Sequence, residues 1–352
     1  MATDRRTNNL EDILVEVREI LTSDRRDLRS LLYRDIILNS LKCKRDELDI
    51  LDLKVINRAV AEFRHAACVF KPYRTVRKVS MFGSARVTRH SPYYRLAVKL
   101  GRLLVENGFM VITGAAEGIM RAGIEGAGAK NSFGANILLP TEKGPTGIIR
   151  DDPKVVRFKY FFTRKIFFVM EADAIALFPG GFGTHDEGFE VLTLTSSAVL
   201  QTGKAPPMPV VLMELPGEKY WETWDKFVRQ QLLGRHFISP EDLSLYKIIH
   251  SPKKAAEWIR SYYSTYHSAR QVRHKLVIRL EKELLDSHIR KLNESFRDLV
   301  ESGEIARTPA LKEEEDEPEL LSKPRIAFAH NKKSAGRLNQ MMLMINQLGQ
   351  TI

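Results

Sequence analysis

The sequence predicts an α/β protein: a doubly wound parallel sheet with helical N- and C-terminal extensions. Three observations predict it. From Lys78 onward, short apolar runs alternate with amphipathic helical stretches. The runs repeatedly end in glycine, as at Gly83, Gly114 and Gly180-Gly181, and a helical stretch follows each time. Such strand–turn–helix units build parallel sheets covered on both faces. The chain is 352 residues long, enough for about two domains or for one large domain with extensions.

The elements follow in order. Residues 1–76 read as a helical N-terminal extension. Leu10, Ile13, Leu14, Val17 and Leu21 recur at helical spacing, then Leu28, Leu31, Leu32, Ile36 and Leu38. A third run places Ile50, Leu53, Ile56, Val60 and Phe63 on one side, and Pro72 ends it. This extension reads as a cap or assembly element without chemistry. Residues 77–266 read as the α/β core. Its strands are expected at 79–82, 109–113, 134–139, 155–160, 174–178 and 210–214. Its helices are expected at 93–106, 117–129, 161–171, 184–200, 221–233 and 251–263. In 267–302, Leu276, Leu280, Leu284, Ile289, Leu292, Phe296 and Leu299 predict one long amphipathic helix over 268–301. Residues 303–324, with the acidic run from Glu313 to Glu317, read as a flexible charged linker. A C-terminal segment, 325–352, holds a short strand and a helix rich in Met and Leu.

Composition narrows the function. Apolar residues make up 43% and charged residues 28%, which excludes collagen-like and wholly disordered chains. Cys43 and Cys68 show no metal-ligand spacing and point to a reducing compartment, each as a buried structural thiol. The most apolar stretch, 161–178, is broken by Arg164, Lys165, Glu171 and Asp173, so no membrane span is expected. The N-terminus has no apolar signal core, and a cytoplasmic location is expected. The net charge of +11 favours anionic ligands. Without an aromatic-interleaved basic tract, nucleic acid is not expected among the partners.

In an open parallel sheet, ligands bind beyond the carboxyl ends of the strands. Three loops are therefore candidates: Gly83-Ser84-Ala85-Arg86, Gly114-Ala115-Ala116-Glu117-Gly118, and Pro179-Gly180-Gly181-Phe182-Gly183-Thr184. In the third, the glycines let backbone approach a bulky anion, and Thr184 is expected to cap the next helix. Helix N-termini favour phosphate. No Gly-Lys-Ser/Thr follows, so this is not the phosphate loop of ATP hydrolases. Glu187 stands three residues after Thr184, with Glu190 near it on the same face. Arg164-Lys165 on the preceding helix offsets that charge. A carboxylate beside a sugar phosphate can stabilise an oxocarbenium-like centre and orient water. An arginine can grip a phosphate or carboxylate with two prongs.

The run Pro179-Gly180-Gly181-Phe182-Gly183-Thr184-His185-Asp186-Glu187 resembles the Pro-Gly-Gly-x-Gly-Thr-x-x-Glu signature of the LOG ("lonely guy") family, phosphoribohydrolases formerly labelled lysine decarboxylases. Arg164-Lys165 resembles that family's Arg-Lys pair. Phe82 to Arg86, Ile112-Thr113-Gly114 and Gly118-Ile119-Met120 resemble its earlier loops, and 161–165 resembles the larger bacterial branch. The resemblance covers about 78–262. It implies a Rossmann-like domain that hydrolyses the N-glycosidic bond of nucleoside 5′-monophosphates, AMP-like or cytokinin riboside monophosphates, to free base and ribose 5-phosphate. The catalytic pair falls on Arg164 and Glu187. Substrate contacts fall on Gly83, Ser84, Arg86, Gly114, Glu117, Gly118, Lys165, Gly180, Gly181, Gly183 and Thr184. No metal and no organic cofactor is implied, and a homo-oligomer, dimer or higher, is. The chain departs from the family at Ala115-Ala116, where glycines are usual, and at Gly188, where a large apolar residue is usual. The altered loop keeps a second reading open: a nucleotide- or molybdenum-cofactor-binding carrier without turnover. A pyridoxal-phosphate decarboxylase is disfavoured because no lysine has a Schiff-base setting.

Overall fold

The computed structural model describes residues 10–23, 27–138, 144–196 and 208–351. It divides into two compact units, Met1–Ala61 and Glu62–Ile352. The first contains helices α1 (Leu10–Thr22) and α2 (Leu28–Arg45) and the part of α3 (Ile50–Phe70) up to Ala61. Asp27 caps α2 by accepting the amides of Arg29 and Ser30. Neither α1 nor α2 buries a single residue. The apolar repeats of the sequence are helical here, yet Leu10, Leu14, Leu28 and Ile36 stay more than half exposed.

The second unit is built on a seven-stranded parallel sheet. Its strands are β1 (Lys78–Phe82), β2 (Met110–Thr113), β3 (Ser132–Ile137), β4 (Val155–Phe158), β5 (Ala174–Leu177), β6 (Val210–Met213) and β7 (Tyr246–Ile249). The order is β4-β3-β2-β1-β5-β6-β7. Six of these lie where the apolar runs placed them; β7 was not foreseen. The connecting helices are α4 (Pro92–Glu106), α5 (Ile119–Ala127), α6 (Phe161–Met170), α7 (Phe182–Ser196), α8 (Tyr220–Phe227) and α9 (Pro252–Ser261). A π-helical turn, Val228–Leu233, extends α8.

Both faces of the sheet are covered, as a doubly wound fold requires. Along β5, Ala174 and Ala176 join Leu100, Leu104, Ile119 and Ile259 on one side. Ile175 and Leu177 join Phe133, Phe158, Phe167 and Trp221 on the other. The end of α3 belongs to this core, not to the N-terminal extension of 1–76. Phe70 stacks on Phe133 at 4.5 Å, and buried Glu62 accepts the Lys159 amide and the Thr163 hydroxyl, each at 2.6 Å. Cys68, exposed, and Cys43, half-buried, are not the buried thiols expected of them.

The C-terminal third corrects the sequence reading. No helix spans 268–301. Instead β8 (Tyr266–Val272) and β9 (Lys275–Leu280) form a hairpin, followed by α10 (Asp286–Ser295) and β10 (Val300–Arg307). With β11 (Arg325–His330) they make an antiparallel sheet ordered β10-β11-β9-β8, packed by α10 and α11 (Ala335–Gly349). The extension is therefore a second α/β layer rather than a helix. The acidic run is no free linker either. Glu314 is wholly buried and takes Arg279 and Arg325, both at 2.8 Å, while Asp316 and Glu317 pair with Arg270. Among the described residues, no helix is long and apolar enough to cross a membrane.

Candidate active site

The strand order reverses direction at β1 and β5: the chain runs outward through β2, β3 and β4, then returns to pair β5 with β1. Crevices at such switch points are where open α/β sheets take ligands. A cleft of about 620 Å³ lies there. Gly83, Ser84 and Arg86 line it from the first loop, Gly114 from the second, and Gly181, Gly183, Thr184 and Glu187 from the third; Arg164 reaches it from α6.

Backbone contacts lock the loops together. The Ser84 amide donates to the Pro179 carbonyl at 3.2 Å, and the Ser84 carbonyl accepts the Ile119 amide at 3.1 Å. Gly118 has φ +68°, and a Cβ there would sit 2.2 Å from the Ser84 oxygen. Its role is to let the second loop close on the first; it does not line the cleft. Gly180 is likewise structural: a Cβ would sit 2.1 Å from Thr184 Oγ1. Gly181 and Gly183 differ, since a Cβ on either would meet nothing within 4 Å. Their missing side chains leave room in the cleft. The Gly181 carbonyl accepts the Thr184 amide at 3.0 Å, so α7 begins earlier than the sequence reading had it. Thr184 is inside the first turn and is not the cap. The first amides of a helix have no partner within it, and here they belong to a loop that lines the cleft.

Glu187 and Arg164 meet, Oε1 to Nη2 at 3.5 Å, with both side chains largely buried. Burial pushes the Glu187 carboxyl up to about 7, against the pull of Arg164 and Lys165. The Arg164 guanidinium lies over the rings of Phe161 (4.9 Å) and Phe168 (5.5 Å), which hold its plane. Gly188 follows Glu187 for a packing reason: a Cβ there would press on Leu177 of β5 at 3.1 Å. The small residue lets α7 sit close to the strand and brings Glu187 inward.

Four expected contacts fall elsewhere, Gly118 among them. Lys165 is occupied by Asp186 (2.7 Å) and Glu190 (3.1 Å), outside the cleft. Glu117 is exposed and pairs with Arg121 one turn on at 3.0 Å. Gly180 backs the loop, held by the Tyr220 hydroxyl, which donates to its carbonyl at 2.5 Å. His185 Nε2 lies 2.7 Å from the same hydroxyl, and burial lowers its pKa. Since the single tyrosine proton goes to Gly180, His185 is the donor in that contact and takes the Nε2–H tautomer. Asn136 is wholly buried and donates to the Gly114 carbonyl at 3.3 Å, supporting the second loop from below.

Sequence reasoning missed the apolar wall. Phe82, Met120, Ile137, Phe161 and Phe182 line the cleft. Phe82 and Ile137 end their strands, a position that could have marked them. Phe182 occupies the variable place in the glycine motif and is 95% exposed.

Comparison with known proteins agrees with the motif reading. The model of the family described as "Possible lysine decarboxylase" matches residues 112–259. A search of curated proteins finds no match. Among solved structures, a molybdenum cofactor binding protein from Rippkaea orientalis is 19% identical, covering 52% of this chain and 94% of its own, with a TM-score of 0.36. A Moco carrier protein from Chlamydomonas reinhardtii is 16% identical, covering 53% and 96%, also at 0.36. DNA processing protein A from Helicobacter pylori is 13% identical, covering 53% and 81%, again at 0.36. The matched stretch, under half of the chain, carries Arg164, the third glycine loop and Glu187, and is similar to the family described as possible lysine decarboxylases.

Proposed function

We propose that the cleft binds a nucleoside 5′-monophosphate, AMP-like substrates first, and hydrolyses its N-glycosidic bond. The observation that carries this reading is the buried Glu187–Arg164 pair beside the glycine-lined start of α7. The 5′-phosphate takes the amides around Gly181 and Gly183, favoured by the helix dipole. The base lies against Met120, Ile137 and Phe161. As the C1′–N bond breaks, its electron pair leaves on the base and positive charge develops across C1′ and the ring oxygen. The Glu187 carboxylate stabilises that charge and orients a water, whose oxygen bonds C1′. One water proton goes to the departing base; the other stays on the new hydroxyl of ribose 5-phosphate. Arg164 leaves Glu187 to contact substrate phosphate or hydroxyls, which keeps the acid from a permanent ion pair. Family resemblance supports a homo-oligomer, dimer or higher, without a cofactor.

One observation favours the second reading, a nucleotide- or molybdenum-cofactor-binding carrier. Ala115 holds φ +59° in the loop where the family has glycine. A side chain in that region costs about 1–2 kcal/mol, and here it is buried against Ile124 and Ile149, away from the cleft. One experiment separates the two readings. Pure protein is incubated with a panel of nucleoside monophosphates, and free base is measured by chromatography. Release from at least one member supports hydrolysis; binding with no release from any supports the carrier.

A further inference from the structure

Outside the cleft, three side chains with metal-ligating atoms converge at the carboxyl edge of the sheet. Glu214 follows β6, His250 follows β7, and Glu222 lies in the first turn of α8. One ligand atom from each lies within 4.8 Å of the other two. The ladder enforces this: Met213 pairs with Ile249, and the Glu214 amide donates to the Ile249 carbonyl at 3.2 Å. None of the three lines the cleft.

Glu214 is the informative member. It is wholly buried. Its Oε1 accepts the Trp221 amide at 2.7 Å, which caps α8. Its Oε2 is also buried and has no hydrogen-bond partner. Capping accounts for one oxygen only. A carboxylate oxygen taken out of water without a partner is costly, and a cation beside it removes that cost. Glu222 and His250, both accessible to solvent, stand where they can complete the shell and give the ion a route in.

We propose that Glu214, Glu222 and His250 form a binding site for a borderline divalent cation of the zinc class. One imidazole nitrogen and two carboxylates are a three-ligand set that leaves a fourth, tetrahedral position for water. Magnesium, which prefers oxygen ligands and keeps its waters, fits the set less well. Bound there, the ion ties the first turn of α8 to the ends of β6 and β7. That turn also carries Tyr220, the residue that holds the Gly180 carbonyl.

The test uses the untagged full chain, stripped of metal with a chelator. Zn²⁺ alone is titrated by calorimetry, and Co²⁺ alone by its visible absorption. The expected result is one equivalent of Zn²⁺ per chain, displaceable by Co²⁺, and binding of Mg²⁺ at least tenfold weaker. His250→Ala and Glu222→Gln, at positions open to solvent, should each weaken Zn²⁺ binding at least tenfold while leaving the metal-free unfolding temperature unchanged. Glu214→Gln should do the same if it folds; the other two variants decide the matter if it does not. Absence of stoichiometric binding, or equal binding by wild type and both variants, overturns the proposal.

Discussion

Glu187 is where burial and charge contend most directly. Its carboxyl is raised from 4.5 to about 7, so the folded chain holds that proton more tightly than the unfolded chain does. The cost of ionising it in the fold is absent below about 4.5, grows as pH rises, and is complete above about 7. Stability should therefore fall across that window, by up to about 3 kcal/mol. Glu187→Gln should flatten the dependence, as denaturant midpoints at several pH values will show. If the carboxylate is the acting form, turnover rises with pH along a limb centred near 7. The glycines offer a sharper contrast. Gly180→Ala drives a methyl against Thr184 and the Ser84 amide, so it should disorder the loop and lower the unfolding temperature. Gly181→Ala meets no protein atom and should fold normally, yet its methyl stands in the cleft and should raise KM for a phosphorylated substrate at least tenfold. Steady-state kinetics beside thermal unfolding distinguishes the two. Gly181, Gly183 and Glu187 could be grouped from the sequence because one loop and one helix turn hold them together, whereas Arg164 comes to them from another helix, α6. The structural duties of Gly118 and Gly180 were not legible, because the atoms they avoid are brought in from other segments.

Among the elements, the parallel strands could be read because each is a short apolar run closed by glycine. The C-terminal hairpin could not. Leu276 and Leu280 fit a helix stripe, but Leu276, Ile278 and Leu280 equally fit a strand, and burial of β9 is almost continuous. Its turn lacks the usual Asn-Gly signal: Arg273 takes φ +52° between Val272 and Lys275. The acidic run looked like a linker because its partners, Arg270, Arg279 and Arg325, are not its sequence neighbours. That network carries its own prediction. Glu314→Gln takes the carboxylate from buried Arg325, while Arg279 keeps Glu317 at 2.7 Å, and should cost about 3 kcal/mol. The loss should appear in unfolding of the second unit while leaving the Glu187–Arg164 cleft competent to bind below the transition. Equal stability of the variant and wild type would show that water takes over the role.

At the scale of the molecule, topology does most of the positioning. The reversal of strand order brings loops from β1, β2 and β5 to one crevice, so residues 83, 114 and 187 meet without a dedicated scaffold. The N-terminal helices contribute nothing buried: α1 and α2 present their leucines and isoleucines to solvent. Apolar stripes of that kind are covered in assemblies. Sedimentation of the full chain should give a mass of two chains or more, and a lone 40.2 kDa species at micromolar concentration would contradict assembly. On the proposed function, a phosphate-anchored nucleotide loses its base over Glu187. The most direct measurement is the initial rate of free-base release from AMP and from adenosine, for wild type and for Glu187→Gln. Release from AMP alone, falling at least a hundredfold in the variant, is the predicted result. Undiminished release by the variant, or equal rates with and without the 5′-phosphate, would contradict it.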